Sequence, residues 1–197
     1  GGTVVLERNS TIQGSGSTFS GLIINNDAQT QFSGAHSPLG IVGEEPVGAN
    51  GYSYHKVAFD TAGGNMSHTT RYFLQGKDIS NEIKPDPRTG YTFGGWNKAD
   101  GTAWDYASDT VTDNITLYAK WKKITYKITY KLNKGKNNKK NPKKYTVTSK
   151  TIKLKAAKRK GYKFVGWYRD KKCKHAVKRI KKGSTGKKIF YAKWKKR

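Results

Sequence analysis

Three groups of residues in this 197-residue chain have types and spacing that could do chemistry. The first is cationic. Lys139-Lys140, Lys143-Lys144, Lys171-Lys172, Lys174, Lys178-Arg179, Lys181-Lys182 and Lys187-Lys188 crowd the C-terminal part, mostly in turns between stretches that read as strands. Such a cluster sets up a positive field that attracts anions and is screened by salt. The second group is Cys173-Lys174-His175, a thiol and an imidazole two positions apart, on one face if the segment is extended. Nucleophilic chemistry also needs an orienting third group and an oxyanion pocket, and no residue pattern supplies them. Two such ligands also fall short of a tetrahedral zinc site. The third group is the acidic run NKADGTAWDYASDTVTDN, with Asp100, Asp105, Asp109 and Asp113. Calcium takes about six to eight oxygens and this spacing matches no EF-hand loop, so solvated turn carboxylates are expected. Glycine loops of the phosphate-cradling kind are absent. The residues therefore predict no catalytic centre, no metal and no cofactor, and they single out the cationic group.

The charge is unevenly placed. Residues 1–121 hold 8 Lys/Arg against 12 Asp/Glu, whereas residues 122–197 hold 31 Lys/Arg against one acid, Asp170. An asymmetry of this kind points to a polyanionic partner for one half. Of those 31 cations, 27 are Lys and 4 are Arg. Arg suits bidentate reading of bases and carboxylates, while Lys acts as a point charge. The expected partner is thus an anionic cell-wall or host polymer (teichoic acid or an acidic glycan), held by general attraction, and not nucleic acid read by sequence. A solvated coat that only confers solubility is the bland alternative.

Positioning such side chains needs folded elements. Hydrophobic content is only 34 %, but 24 aromatics supply large packing areas, and a disordered cationic tail would be poor in them. The single cysteine excludes an internal disulfide. No apolar run of about 18 residues exists to span a membrane. The opening GGTVV lacks the charged-then-apolar pattern of an export signal, so the start is expected either inside a longer chain or just after a removed signal.

An internal repeat organises most of the chain. GYTFGGW at 90–96 returns as GYKFVGW at 161–167, an offset of 71 residues. Arg88 and Arg159 precede these stretches by two residues. Upstream, Val57-Ala58-Phe59 matches Ile128-Thr129-Tyr130, each leading into a Gly-bearing turn. Downstream, LYAKW at 117–121 matches FYAKW at 190–194 at an offset of 73. Within each copy apolar residues alternate at period two, as in Leu117, Ala119 and Trp121, and β-branched and aromatic residues dominate, which predicts strands. Residues 151–159, TIKLKAAKR, read as a strand edge or a short helical turn. Period two sets Tyr91 and Phe93 opposite Trp96 unless Gly94-Gly95 forms a bulge. The recurrence of the whole scaffold makes packing, and not ligand stacking, the better account of the aromatics.

The Gly turn, the Arg-x-Gly-Tyr-x-Phe-x-Gly-Trp stretch and the closing Tyr-Ala-Lys-Trp, present twice, resemble the Listeria–Bacteroides repeat, also called the internalin-type B-repeat. The resemblance implies a small β-grasp-like module, often in tandem on surface or secreted bacterial proteins and not itself catalytic. The lysine-saturated second copy departs from the neutral or acidic charge of typical members. The expected fold is mainly β: a β-rich segment and connector at 1–51, one module at 52–121, and a strongly basic module at 122–197. The stretch STIQGSGSTFSGLIINNDAQTQFSG resembles rungs at the end of a parallel β-helix, with strands docked on the first module or a linker as alternatives. Residues 36–51 read as connector. Together these predict a non-catalytic bacterial surface or secreted adhesion and spacer protein. The alternatives are a C-terminal appendage of a larger β-helix polysaccharide-active protein and a nucleic-acid-binding protein.

Overall fold

The structure, a computed structural model, describes residues 2–6, 22–26, 31–32, 37–43, 45–48 and 51–197. Among the described residues, sixteen strands follow in chain order: β1 (Gly2–Leu6), β2 (Leu22–Asn26), β3 (Gln31–Phe32), β4 (Ile41–Gly43), β5 (Val47–Gly48), β6 (Tyr54–Asp60), β7 (Thr70–Leu74), β8 (Tyr91–Asn97), β9 (Ile115–Lys123), β10 (Tyr126–Lys131), β11 (Lys144–Tyr145), β12 (Ile152–Lys153), β13 (Tyr162–Tyr168), β14 (Ala176–Val177), β15 (Arg179–Ile180) and β16 (Lys188–Lys196). No helix occurs among the described residues. The chain divides into two compact units, residues 1–88 with 93–122 and residues 89–92 with 123–197.

Both copies of the repeat share one topological device. In the second, the sheet order is β11-β10-β16-β13-β14, with β10 parallel to β16 and β13 antiparallel to it. In the first, the run β7-β6-β9-β8 has β6 parallel to β9. First and last strands of each repeat thus lie side by side and parallel at the centre, which is the grasp-like pattern. The alternating residues decide which face is buried. Val57, Phe59, Leu117 and Ala119 close over Trp96 in the first core, and Ile128, Phe190 and Ala192 over Trp167 in the second. TIKLKAAKR is a strand edge, β12, paired with β15.

The repeated motif is scaffold. Trp96 and Trp167 are buried, at 0 % and 2 % exposure, and each indole N–H is satisfied by a backbone carbonyl, Ile83 O at 2.8 Å and Lys155 O at 2.9 Å. The closing Trp121 and Trp194 donate to Thr61 O and Leu132 O at 2.8 and 3.0 Å. Arg88 and Arg159 cap the same turns through Ala62 O and Asn133 O. Phe164 and Trp167 meet edge to face with centroids 5.3 Å apart, and Phe93 and Trp96 do so at 5.2 Å. Strict period two would separate these rings. A register shift between Phe164 and Gly166 resolves the conflict in the second copy, putting Val165 outward at 49 % exposure. In the first copy Gly95 at φ 100° adopts a backbone that a side chain would strain.

The segment read as connector contributes to the core. Ile41 and Val42 are buried, and β4 joins β7 through Ile41 opposite Tyr72. The Arg71 guanidinium, also buried, donates to Leu39 O at 2.6 Å and holds this segment down. Ahead of it, β1, β2 and β4 pair in parallel, with Val4 opposite Ile24 and Ile24 opposite Ile41, while β3 pairs in parallel with β5. Parallel stacking of successive short strands is what solenoid rungs do. Here the stack continues directly into the sheet of the first repeat, giving the order β1-β2-β4-β7-β6-β9-β8. The STIQGSGSTFSG stretch lies wholly outside the described residues.

Candidate polyanion-binding groove

The Cys173-His175 pair belongs to a turn. The Asp170 carboxylate accepts from the backbone N–H of Lys174 and His175 and lies 3.2 Å from His175 Nδ1. Those backbone donors, Lys174 first, hold the Asp170 carboxyl below the usual range. Cys173 sits at φ 54° with its thiol 3.8 Å from Lys171 O, a contact to the backbone and not to the imidazole. The acidic run of the first repeat behaves alike. Asp100 accepts from the Thr102 hydroxyl and N–H, Asp105 from Ala107 N–H and the Ser108 hydroxyl, and Asp109 from Lys98 Nζ at 2.7 Å and Asp105 N–H. These bonds depress all three carboxyl pKa values. Among the described residues, no cluster of three or more His, Cys, Asp or Glu is placed to hold a metal.

The cationic side chains are organised differently. A half-open groove of about 1060 Å³ runs along the second repeat. Its basic lining is Lys153 from β12, Arg169 just past β13, Lys178 and Arg179 at β14 and β15, Lys181 and Lys187 from the following loop, and Lys188 at the start of β16. No carboxylate lines it. Val177, Ile180 and Phe190, all buried, form its floor, and the partly exposed Ile189 and Ala176 complete the apolar lining. Of the cations singled out from sequence, Lys178, Arg179, Lys181, Lys187 and Lys188 are therefore brought together. Lys182 lines an adjoining shallow depression with Thr151, Arg179 and Lys181. Lys139, Lys140, Lys143 and Lys144 are exposed around the turn before β11, and Lys171, Lys172 and Lys174 around the Asp170 turn, none of them lining the groove. Sequence reasoning missed Lys153 and Arg169. Neither sits in a Lys doublet, but Lys153 alternates with Ile152 and Leu154, a usable signal of an outward-facing strand residue.

The rim loop is held in place. Gly186 O accepts from the Tyr145 hydroxyl, Gly183 N–H reaches Val147 O at 3.1 Å, and Lys182 N–H meets Thr151 Oγ1 at 3.3 Å. Lys188 Nζ is fixed on Thr185 O at 2.8 Å. The turns of this loop use Gly183 and Gly186 at φ 81° and 79°.

The first repeat shows how the groove arises. Bridges Asn97–Ala103 and Tyr168–Ala176 are equivalent, as are Lys98 N–H to Thr102 O and Arg169 N–H to His175 O. The two residues gained by the second copy thus lie in the Asp170 turn. Lys98 corresponds to Arg169, Trp104 to Val177 and Asp105 to Lys178. In the first repeat Lys98 is neutralised by Asp109 and lies 5.7 Å from the centroid of the Trp104 ring, which is itself buried. In the second, a small Val replaces the indole, opening the floor, Lys178 stands at the position of Asp105, and no acid pairs with the Arg169 guanidinium among the described residues.

The signature of the Listeria-Bacteroides repeat domain matches residues 55–120 and 126–193, the two copies just described. The chain belongs to the Listeria-Bacteroides repeat family. Two proteins of Evansella cellulosilytica resemble this repeat chain over 142 residues. One, named "Putative membrane protein", is 29 % identical across 71 % of the chain and 21 % of its own length. The other, named "Putative Gly-rich membrane protein", is 28 % identical across 71 % of the chain and 16 % of its own length. The chain therefore spans about a fifth or less of those relatives. No solved structure matches it. Among the described residues, no helix is long and apolar enough to cross a membrane.

Proposed function

We propose that this protein is a bacterial envelope-associated repeat protein with a non-catalytic docking and spacer role. In this reading the second repeat holds an anionic cell-wall or host polymer, a teichoic acid or an acidic glycan, in its groove. The names of the Evansella relatives support an envelope location. The observation that carries the docking role is the acid-free groove with seven basic residues around it, built where the first repeat places an internal ion pair. Cations converging on a concave surface focus the field, which raises the local concentration of polyanion. Lysine predominance fits attraction to a charged polymer better than base reading.

The test is binding of the full chain to teichoic acid and to heparin across a salt series. Replacing Lys178, Lys181 and Lys187 by Gln should flatten the slope of log K against log salt by about one per contact removed. A charge-matched variant at Lys139, Lys140 and Lys143 should leave most of the slope in place. Equal losses from both variants would reduce the groove to part of a diffuse coat. Binding of double-stranded DNA as tight as that of teichoic acid would favour a nucleic-acid role.

A second reading, attachment to a larger β-helical body that carries a polysaccharide-directed activity, is favoured by the parallel pairing of β1, β2 and β4. Short parallel rungs bury little surface alone and need neighbouring rungs or another sheet to stack on.

A further inference from the structure

Charge alone does not account for the lining of the groove. Of the four arginines after residue 122, two, Arg169 and Arg179, line it, whereas only five of the 27 lysines do. A guanidinium offers a planar fork that pairs with two oxygens of one anion, a geometry that an ammonium lacks. The groove also has an apolar lining, the buried floor of Val177, Ile180 and Phe190 with Ile189 at 36 % exposure. A ligand that satisfies both features carries anions with two free oxygens on units with an apolar face.

We propose that the groove is selective for carboxylated pyranose polymers, that is, acidic glycans of the uronate type, over poly(glycerol phosphate). A pyranose ring presents a face of C–H groups that can cover the apolar lining at Ile189, and its carboxylate is planar and suited to bidentate Arg. A glycerol phosphate chain can pair its phosphodiester oxygens with the Arg forks as well, but it is flexible and has no comparable face, so the preference comes from the apolar contact. This inference rests on the docking role proposed above and narrows it to one chemical class.

The experiment is calorimetric titration of the full chain with oligogalacturonate and with poly(glycerol phosphate), matched in charge number and at fixed ionic strength. The expected preference for oligogalacturonate is about tenfold, of the size that modest apolar burial supplies. Ile189→Gln, at a partly exposed position, should lower oligogalacturonate affinity more than poly(glycerol phosphate) affinity and so reduce that preference. The double variant Arg169→Lys with Arg179→Lys keeps the charge but removes the forks, and should weaken both polymers while leaving the preference in place. Equal affinity of the unaltered chain for the two polymers would overturn the selectivity while leaving the docking role standing, and so would a preference insensitive to Ile189→Gln. Failure of both polymers to bind at low salt would overturn selectivity and docking together.

Discussion

Gly135 and Gly64 occupy the turns that the closing tryptophans lie against. A Cβ on Gly135 would stand 2.4 Å from Trp194 Cζ2 and 3.1 Å from the backbone oxygens of Leu132 and Lys158, and one on Gly64 would stand 2.8 Å from Trp121 Cζ2. Gly135→Ala should therefore cost about 1–3 kcal/mol, the range for overpacking, with Gly64→Ala costing less, as read by chemical denaturation. Tyr130 allows a second test. Its hydroxyl donates to Pro142 O at 3.0 Å, and burial raises its pKa from 10.0 to about 12. The folded state keeps the phenol protonated where the unfolded chain ionises, so the contribution is fully present below pH 10 and is lost as pH rises toward 12. Tyr130→Phe should show a shallower loss of stability across that window than the unaltered chain. An unchanged alkaline profile would show that Tyr130 is not the group responsible.

At the scale of elements, the groove depends on a loop held by few bonds. Residues 181–187 are tied through Tyr145 to Gly186 and through Gly183 to Val147. Tyr145→Phe keeps the ring against Tyr126, at a centroid distance of 5.4 Å, and removes only the hydroxyl. The expected cost is about 1 kcal/mol in stability, with faster amide exchange confined to the loop and weaker polymer binding. Exchange unchanged in the loop would mean that the Tyr145 bond does not order the rim. Legibility at this scale was uneven. The period-two runs of Val57, Phe59, Leu117 and Ala119 identified strands and their buried faces because alternation reports directly on a half-buried sheet. The side of Phe164 relative to Trp167 was not readable, because a single bulge inverts every later residue of the strand. The burial of Ile41 was missed for a similar reason. Its value comes from β7 across the sheet, which the local composition of HSPLGIVG does not reveal.

For the whole molecule, the opposed charge of residues 1–121 and 122–197 governs solution behaviour. Polymer affinity should fall steeply between about 50 and 200 mM salt, with retention on an anionic matrix as the readout. Acid should act on the turn carboxylates instead. Asp109, depressed first by its bond to Lys98 and then by Asp105 N–H, supports its turn above the ordinary aspartate range and loses that support as pH falls below it. Asp109→Asn should therefore weaken the acid dependence of stability without altering salt-dependent polymer binding. A change in polymer binding would tie the first repeat to the docking role.

The sequence by itself determined the two repeats, the strand pattern within each, and the concentration of charge after residue 122, because these are properties of residue type and spacing along the chain. Tertiary structure decided which cations act together. Lys153, Arg169, Lys178 and Lys187 are far apart in sequence and meet only because β12, β13, β14 and β16 converge on one groove. It also decided that the counterpart cation in the first repeat is not free, since the Lys98–Asp109 pair is closed by the fold of its own turn. The physical reason is that charge is additive and countable, whereas a binding site depends on distances that only packing sets.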